Sequence, residues 1–194
     1  EDPLRPEAPE VMKELRKLGI RKIVMMTGDS EKTAASIAQR VGLDEYYSEV
    51  LPEDKADFIE REKAAGRKVV MIGDGINDSP ALSASDAGIA VSGGAELARE
   101  IADIMIEAED LHEIVMLKYL SDAMMRRIHK NYKEIIGINS GLIVLGVAGW
   151  IQPTASALLH NMSTLTISLN SMRSLLCDKG HSLPKKSEKS FQTY

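Results

Sequence analysis

Two carboxylates and an amide occur close together in the segment Gly73-Asp74-Gly75-Ile76-Asn77-Asp78. Their oxygens suit Mg²⁺, which takes one or two carboxylates from a protein and fills its other coordination positions with water and phosphate oxygens. The two glycines let the backbone approach a ligand closely. The segment therefore predicts a site for Mg²⁺ and a phosphate group, with Asp74 and Asp78 as the carboxylates.

Two further segments offer groups that would complete such a site. Thr27-Gly28-Asp29 presents a hydroxyl group and backbone N–H groups to a ligand. Lys55 presents a positive charge to a phosphoryl oxygen. Taken singly, each of these residues is explained as readily by a strand-to-helix turn or a solvated surface charge. Their significance therefore depends on whether the three segments belong to one site.

The elements that must position these residues form an α/β pattern. Short β-branched runs alternate with amphipathic helical patterns, which is typical of βαβ units around a parallel sheet. Thr27 and Gly73 directly follow predicted strands, at the carboxyl ends where parallel sheets bind ligands. The predicted strands are residues 23–26, 69–72, 87–91 and 104–106, and the predicted helices are residues 6–18, 30–41 and 54–65.

The last third of the chain has a different composition. Residues 135–172 contain no Asp, Glu, Lys or Arg, whereas the whole chain has 29 acidic and 24 basic residues. This run is too long for one soluble helix and predicts two transmembrane helices, at about 135–151 and 155–176. A helical connector is predicted before them at 110–134, and a polar cytoplasmic tail after them at 177–194.

Polar side chains within these two apolar helices are candidate ligands for an ion. Polar groups inside a bilayer are costly, and they are therefore functional candidates. An alternative is open for the hydroxyl groups, which often bond to the backbone of their own helix. The candidates are His160, Asn161, Ser163 and Thr164 in the second helix and Asn139 in the first.

In order and spacing, three segments of the chain resemble the P-type ATPases: Thr27-Gly28-Asp29, Pro52-Glu53-Asp54-Lys55 and Gly73-Asp74-Gly75-Ile76-Asn77-Asp78-Ser79-Pro80-Ala81-Leu82. Asp2-Pro3-Leu4-Arg5-Pro6-Glu7-Ala8 and Ala102-Asp103-Ile104 look like the heavy-metal-transporting branch. The resemblance covers about residues 1–176. It implies part of a haloacid-dehalogenase-like phosphorylation domain with a Rossmannoid parallel sheet at 1–109, followed by the last two transmembrane helices of a pump.

The resemblance also implies a chemistry, in which ATP and Mg²⁺ drive transport through an aspartyl-phosphate intermediate. In the family, the residue matching Thr27 binds the phosphoryl group, that matching Lys55 neutralises it and that matching Asp74 holds Mg²⁺. Asn77 and Asp78 match residues that organise the phosphate site, and Asp29, which follows Gly28, matches one near bound nucleotide. The nucleophilic aspartate of the family lies in an Asp-Lys-Thr-Gly-Thr string. This chain lacks that string, so the fragment alone is expected to be inactive.

The cargo implied by the resemblance is a divalent transition metal exported from the cytoplasm. His160 matches the position that carries the ligand of each subgroup, and imidazole suits several ions, so zinc, manganese, cobalt, iron, nickel and cadmium all stay open. The expected partners are the metal ion, the lipid bilayer and the missing N-terminal portion of the same pump. The expected location is a multi-pass protein of the bacterial plasma membrane with its phosphorylation domain in the cytoplasm. A net charge of −5 argues against a nucleic-acid partner.

Two other functions stay open at the level of the sequence. One is a membrane-anchored phosphatase of the haloacid-dehalogenase-like family. The other is a truncated fragment that binds metal without turnover. The sequence that precedes residue 1 in the whole protein distinguishes them, because a pump needs several earlier membrane helices and a phosphatase does not.

Overall fold

The computed structural model of the chain describes residues 4–74, 77–91, 100–106 and 111–175. Two compact units are distinguished, Glu1–Val115 and Met116–Tyr194. The tail predicted at 177–194 lies outside the described residues.

The first unit is an arrangement of alternating strands and helices, and its paired strands all run parallel. This confirms the predicted α/β fold. In chain order the elements are α1 (Ala8–Lys17), β1 (Val24–Met26), α2 (Glu31–Val41), β2 (Glu45–Tyr47), α3 (Pro52–Ala64), β3 (Val70–Gly73), α4 (Ser79–Ala84), β4 (Ala87–Val91) and β5 (Ile104–Ile106).

The strands form two sheets, with the orders β1-β2 and β3-β4-β5. The prediction of one continuous sheet is therefore wrong for the described residues, because no described strand bonds to both β1 and β3. The register of β3 on β4 pairs Val70 with Ala87 and Gly73 with Ala90. Asp74 consequently leaves the sheet at the carboxyl end of β3.

Helical spacing explains how α1 contributes to the core of the first unit. Val11 and Leu15 lie four residues apart and therefore on one face of the helix. Both are buried, and they form a cluster with Ile114 and Val115. At the end of α2, Gly42 has a φ of 78°, in the left-handed region that glycine adopts without strain.

Two short elements, β2 and α4, were not predicted. The strand β2 is the tripeptide Glu45-Tyr46-Tyr47, and α4 is six residues long. Both are too short for a periodic pattern to show. Both matter for the site, since β2 pairs with β1 and α4 begins directly after Asp78. The predicted bounds of the other elements from α1 to β5 lie within two residues of the observed ones.

The second unit is built from two helices. The helix α5 (His112–Val147) starts before this unit and runs through the predicted connector and most of the first predicted span, and α6 is Pro153–Ser171. Proline suits the first position of a helix, where its missing N–H would have no partner. Hydrogen bonds join the helices, among them one from Asn131 Nδ2 to Ser171 Oγ at 2.6 Å and one from Arg127 Nη1 to the Ser171 carbonyl at 3.2 Å.

The predicted transmembrane hairpin is wrong on the described residues, where no helix is both long enough and apolar enough to cross a membrane. In α5, charged residues continue as far as Glu134, so the charge-free part of the helix covers only residues 135–147. In α6, the mean hydropathy is lowered by His160, Asn161 and several hydroxyl side chains.

Candidate functional site

An ion pair joins α3 to the loop that follows β3. Lys55 Nζ lies 2.6 Å from Asp78 Oδ1, and each side chain is only 13% exposed. Lys55 belongs to the first turn of α3, and Asp78 immediately precedes α4, where its carbonyl accepts a hydrogen bond from Leu82 N at 2.8 Å. Limited contact with water strengthens the attraction between the two charges. The lysine that the sequence singled out is thus held beside the Gly73–Asp78 segment.

Gly73 makes this ion pair possible. A Cβ atom at residue 73 would lie 2.4 Å from Asp78 Oδ2 and 2.7 Å from Asp78 Cβ, closer than real atoms approach. The sequence suggested that the glycines of this segment admit a ligand. The structure assigns Gly73 a different task, which is to leave room for the Asp78 side chain. Gly75 lies outside the described residues.

Asp74 and Asn77 form the exposed part of the same segment. Asp74 directly follows β3, and its Oδ1 accepts a hydrogen bond from Asn77 N at 3.2 Å. Both side chains are exposed. An exposed carboxylate beside an amide is a set of hard oxygen donors, and such donors fit Mg²⁺. Asp78, at the end of the same segment, forms the ion pair with Lys55.

Thr27 and Asp29 are hydrogen-bonded to one another in the loop after β1. Thr27 Oγ1 donates to Asp29 Oδ2 at 2.8 Å, and Asp29 N donates to Thr27 Oγ1 at 3.1 Å. Around Gly28, between them, no atom lies within 4 Å of where a Cβ would be. The loop therefore presents an exposed carboxylate and open backbone at the carboxyl end of β1.

The chain after β2 holds this loop in place, which the sequence did not indicate. Thr27 N donates to the Tyr47 carbonyl, Val50 N donates to the Thr27 carbonyl and Glu49 N donates to the Asp29 carbonyl, each at 3.0 Å. Glu49 has a φ of 53°, in the left-handed region that non-glycine residues seldom occupy. No local sequence signal would have revealed it, because glutamate has no preference for that conformation.

A different set of aspartates stabilises the opposite ends of the strands. Asp44, Asp86 and Asp103 each lie one residue before a strand, respectively β2, β4 and β5. Their carboxylates accept backbone hydrogen bonds at the start of the neighbouring strand, from Ile23 N at 2.7 Å, Val69 N at 2.9 Å and Gly88 N at 2.8 Å respectively. The same contact thus sets the start of three strand pairs.

Hydrogen bonds and basic neighbours lower the pKa of two of these aspartates. For Asp44, the larger cause is the hydrogen bond from Ile23 N, and Arg16 at 3.0 Å adds to it. For Asp86, the side chain of Lys68 at 2.7 Å lowers the pKa most, followed by Val69 N. Both carboxylates are therefore stabilised in their ionised form at the amino ends of the strands.

In the helical unit, the structure brings His160 and Asn139 together. His160 Nδ1 lies 2.7 Å from Asn139 Oδ1, across the two helices. Ser163 Oγ and Thr164 Oγ1 both donate to the His160 carbonyl, at 2.8 and 3.0 Å, as in the alternative of bonds to their own helix. Asn161 is exposed next to His160. Within the described ranges, no group of three or more His, Cys, Asp or Glu side chains could hold a metal ion.

The structure therefore assembles the predicted residues in small groups. In the first unit Lys55 pairs with Asp78, Asp74 with Asn77, and Thr27 with Asp29 around Gly28. In the second unit His160 pairs with Asn139. The contacts are consistent with the roles implied for these residues, and the roles themselves stay predictions.

Known proteins resemble this chain in both sequence and fold. A family model for haloacid dehalogenase-like hydrolases matches residues 1–86. The zinc-exporting P-type ATPase of Mycobacterium marinum and the manganese-exporting P-type ATPase of Mycobacterium bovis are each 40% identical over 173 residues, which is 89% of this chain and 24% of each relative. The chain therefore spans about a quarter of the length of these curated relatives.

A solved structure agrees with these relatives. The crystal structure of a zinc-transporting PIB-type ATPase in its E2.Pi state matches 91% of this chain and 28% of its own, with a TM-score of 0.76 and 31% identity. The sequence identity over most of the chain, the shared fold and the haloacid dehalogenase-like match all indicate the same family. The chain is a homologue of the heavy-metal P-type ATPases.

Proposed function

We propose that this chain is part of an ATP-driven pump that exports a divalent transition metal through an aspartyl-phosphate whose aspartate lies outside this sequence. The observation that carries the proposal is the Lys55–Asp78 pair, placed beside the exposed Asp74 at the carboxyl end of β3. The relatives add support, because those compared above are named as exporters or transporters of metals.

Each group of the first unit has a task in this proposal. Lys55 provides positive charge for the phosphoryl oxygens, and Asp78 holds its ammonium group in position. Thr27, whose hydroxyl group is hydrogen-bonded to Asp29, would bind the phosphoryl group, and Asp29 would lie near the nucleotide. Asp74 would hold Mg²⁺, with Asn77 and Asp78 beside it. The bound ion supplies further neutralisation of phosphate charge.

An uncovered apolar face on β3 supports a larger parent domain. Val70 and Ile72 point to the same side of the strand, since side chains alternate along it, and they are 53% and 39% exposed. Parallel sheets usually have both faces covered. We propose that a segment of the whole protein outside this sequence covers that face and contributes the nucleophilic aspartate.

The helical unit supplies a ligand for the cargo in this proposal. His160 is the candidate, and its imidazole suits borderline divalent ions. Zinc and manganese, the ions named for the relatives, are the first to test. The whole protein would be a multi-pass membrane protein with this α/β unit on the cytoplasmic side, and its partners would be the lipid bilayer and the remaining N-terminal portion of the pump.

Replacing Asp74 tests the proposed chemistry. In the complete protein, Asp74→Asn is expected to lower metal-stimulated ATP hydrolysis at least about 100-fold, because the phosphate site loses its exposed carboxylate. Phosphate release from ATP and acid-stable labelling of the protein by γ-labelled ATP are the measurements. Asp57→Asn, at an exposed position of α3, is the matched control and should leave both unchanged.

Persistent metal-stimulated turnover in Asp74→Asn would contradict the assignment of Asp74. The haloacid dehalogenase-like match over residues 1–86 also suits a phosphatase. Mg²⁺-dependent hydrolysis of a small phosphate ester by the complete protein, without stimulation by a transition metal and without labelling by ATP, would favour that second function over the pump.

A further inference from the structure

We propose that Asn139 is a positioning residue, which fixes the tautomer of His160 so that Nε2 is the nitrogen that binds the transported metal. The proposal rests on the proposed function, in which His160 is a ligand of the cargo. It replaces the prediction that Asn139 is itself a ligand. The observation behind it is the contact of 2.7 Å between His160 Nδ1 and Asn139 Oδ1.

The chemistry of the two atoms determines where the imidazole proton lies. The Oδ1 atom of an asparagine is a carbonyl oxygen, which accepts hydrogen bonds and cannot donate them. Nδ1 of His160 must therefore carry the hydrogen in this contact. A neutral imidazole with hydrogen on Nδ1 has its lone pair on Nε2. The nitrogen that is not engaged by Asn139 is consequently the one able to bind a metal.

The two hydroxyl groups one turn from His160 are engaged with its backbone. Ser163 and Thr164 direct their hydroxyl hydrogens to the His160 carbonyl. Asn139 directs its carbonyl oxygen to Nδ1 and is half-buried on α5, whereas His160 is exposed on α6. The two hydroxyl groups thus contact the backbone of His160, whereas Asn139 contacts the imidazole ring and fixes its orientation. The imidazole lone pair on Nε2 is the nitrogen donor that this arrangement offers to a metal.

This arrangement has a known physical consequence for metal affinity. A histidine ligand usually donates its second ring N–H to an acceptor, which fixes the tautomer and the orientation of the ring. Removing such an acceptor commonly weakens metal binding by about 10–100-fold. An asparagine is a neutral acceptor, so it fixes the ring without adding a negative charge beside the cargo.

The tautomer can be measured without metal or turnover. The complete protein would be purified with ¹⁵N-labelled histidine rings, and the His160 signals would be assigned by their loss in His160→Gln. We expect hydrogen on Nδ1 in the wild type and in Asn139→Asp, which keeps an acceptor. Asn139→Leu should shift hydrogen toward Nε2. Hydrogen on Nε2 in the wild type, or an unchanged tautomer in Asn139→Leu, would overturn the proposal.

Metal affinity provides the second test, with Zn²⁺ titrated against a competing chelator. Asn139→Leu should weaken binding about 10–100-fold, and Asn139→Asp should stay within about threefold of the wild type. Asn170→Leu, the same change at an exposed position nearer the end of α6, is the matched control and should bind as the wild type does.

A double substitution separates positioning from a general structural effect. If Asn139 acts through His160, then Asn139→Leu should cause no further loss in a His160→Gln background. An equal loss in both backgrounds would overturn the proposal. Unchanged Zn²⁺ and Mn²⁺ binding in His160→Gln would instead reject His160 as a cargo ligand. That failure of the proposed function is distinguishable, because the tautomer result would still stand.

Discussion

Aspartates at the two ends of the parallel strands have different tasks in the first unit. At the amino ends, Asp44, Asp86 and Asp103 accept backbone N–H groups from the neighbouring strand. At the carboxyl ends, Asp29 and Asp74 are exposed, in loops that suit a ligand. From this difference we predict that the task of an aspartate in this fold depends on the end of the strand it occupies. Changes at the amino ends should lower stability, and changes at the carboxyl ends should lower activity.

After Asp74→Asn, the largest effect is expected from Gly73→Ala, which also acts at a carboxyl end. The new methyl group would collide with Asp78 and displace it from Lys55. Because a misplacement of about 1 Å in an active site can cost about 100-fold in rate, ATP turnover of the complete protein should fall by about that factor. Gly137→Ala, where no atom lies within 4 Å, is the control and should retain turnover. Normal turnover in Gly73→Ala would contradict the role of Gly73 in the site.

A smaller effect is expected from breaking the ion pair itself. Lys55→Met leaves the charge of Asp78 without its partner in a place that is only 13% exposed. The free energy of unfolding should fall by about 1–3 kcal/mol, the usual cost of a shielded charged group that loses its hydrogen bond. Urea unfolding measures this change. The double variant Lys55→Met with Asp78→Asn should recover part of the loss, and simple additivity of the two changes would contradict a direct interaction.

The smallest effect is expected at an amino end, and it depends on pH. The pKa of Asp44 is lower in the folded chain than its ordinary value of about 3.9. Its contribution to stability is therefore fully present above about pH 5 and is lost as the pH falls through the folded pKa. Asp44→Asn should lower the free energy of unfolding at pH 7 by about 0.5–1 kcal/mol, since the carboxylate is partly exposed.

Urea unfolding between pH 7 and pH 3 measures this difference between the wild type and Asp44→Asn. The difference should shrink below about pH 4. ATP turnover of the complete protein at pH 7 should be unchanged. A loss of turnover larger than the loss of folded protein would contradict the division of tasks between the two ends of the strands.

Much of the first unit could be predicted from the sequence, because its signals are local. Apolar runs and helical spacing placed seven strands and helices within two residues of their observed bounds. Lys55, Asp74 and Thr27 were recognised by residue type and by their positions after strands or at a helix start. The short elements β2 and α4 were missed, since three and six residues carry no period.

The helical unit was harder to predict, because a run without charged residues can occur in more than one kind of helix. A long run without charges suggested two transmembrane helices; the structure has two helices there, but no described helix is both long enough and apolar enough to cross a membrane. Asn139 and His160 were both chosen as polar residues in apolar surroundings. The contact of 2.7 Å between them, from which we propose different tasks for the two residues, could not be inferred from any spacing along the chain.

The sequence by itself determined the alternation of strands and helices and the residue types at the carboxyl ends of β1 and β3, because both follow from local composition and period. Only the tertiary structure decided which groups meet. Lys55 pairs with Asp78, Gly73 leaves room for the Asp78 side chain, and residues 47–50 hold the Thr27 loop. The physical reason is that a side chain's partner depends on where separate strands and helices come together, across distances along the chain that no local pattern records.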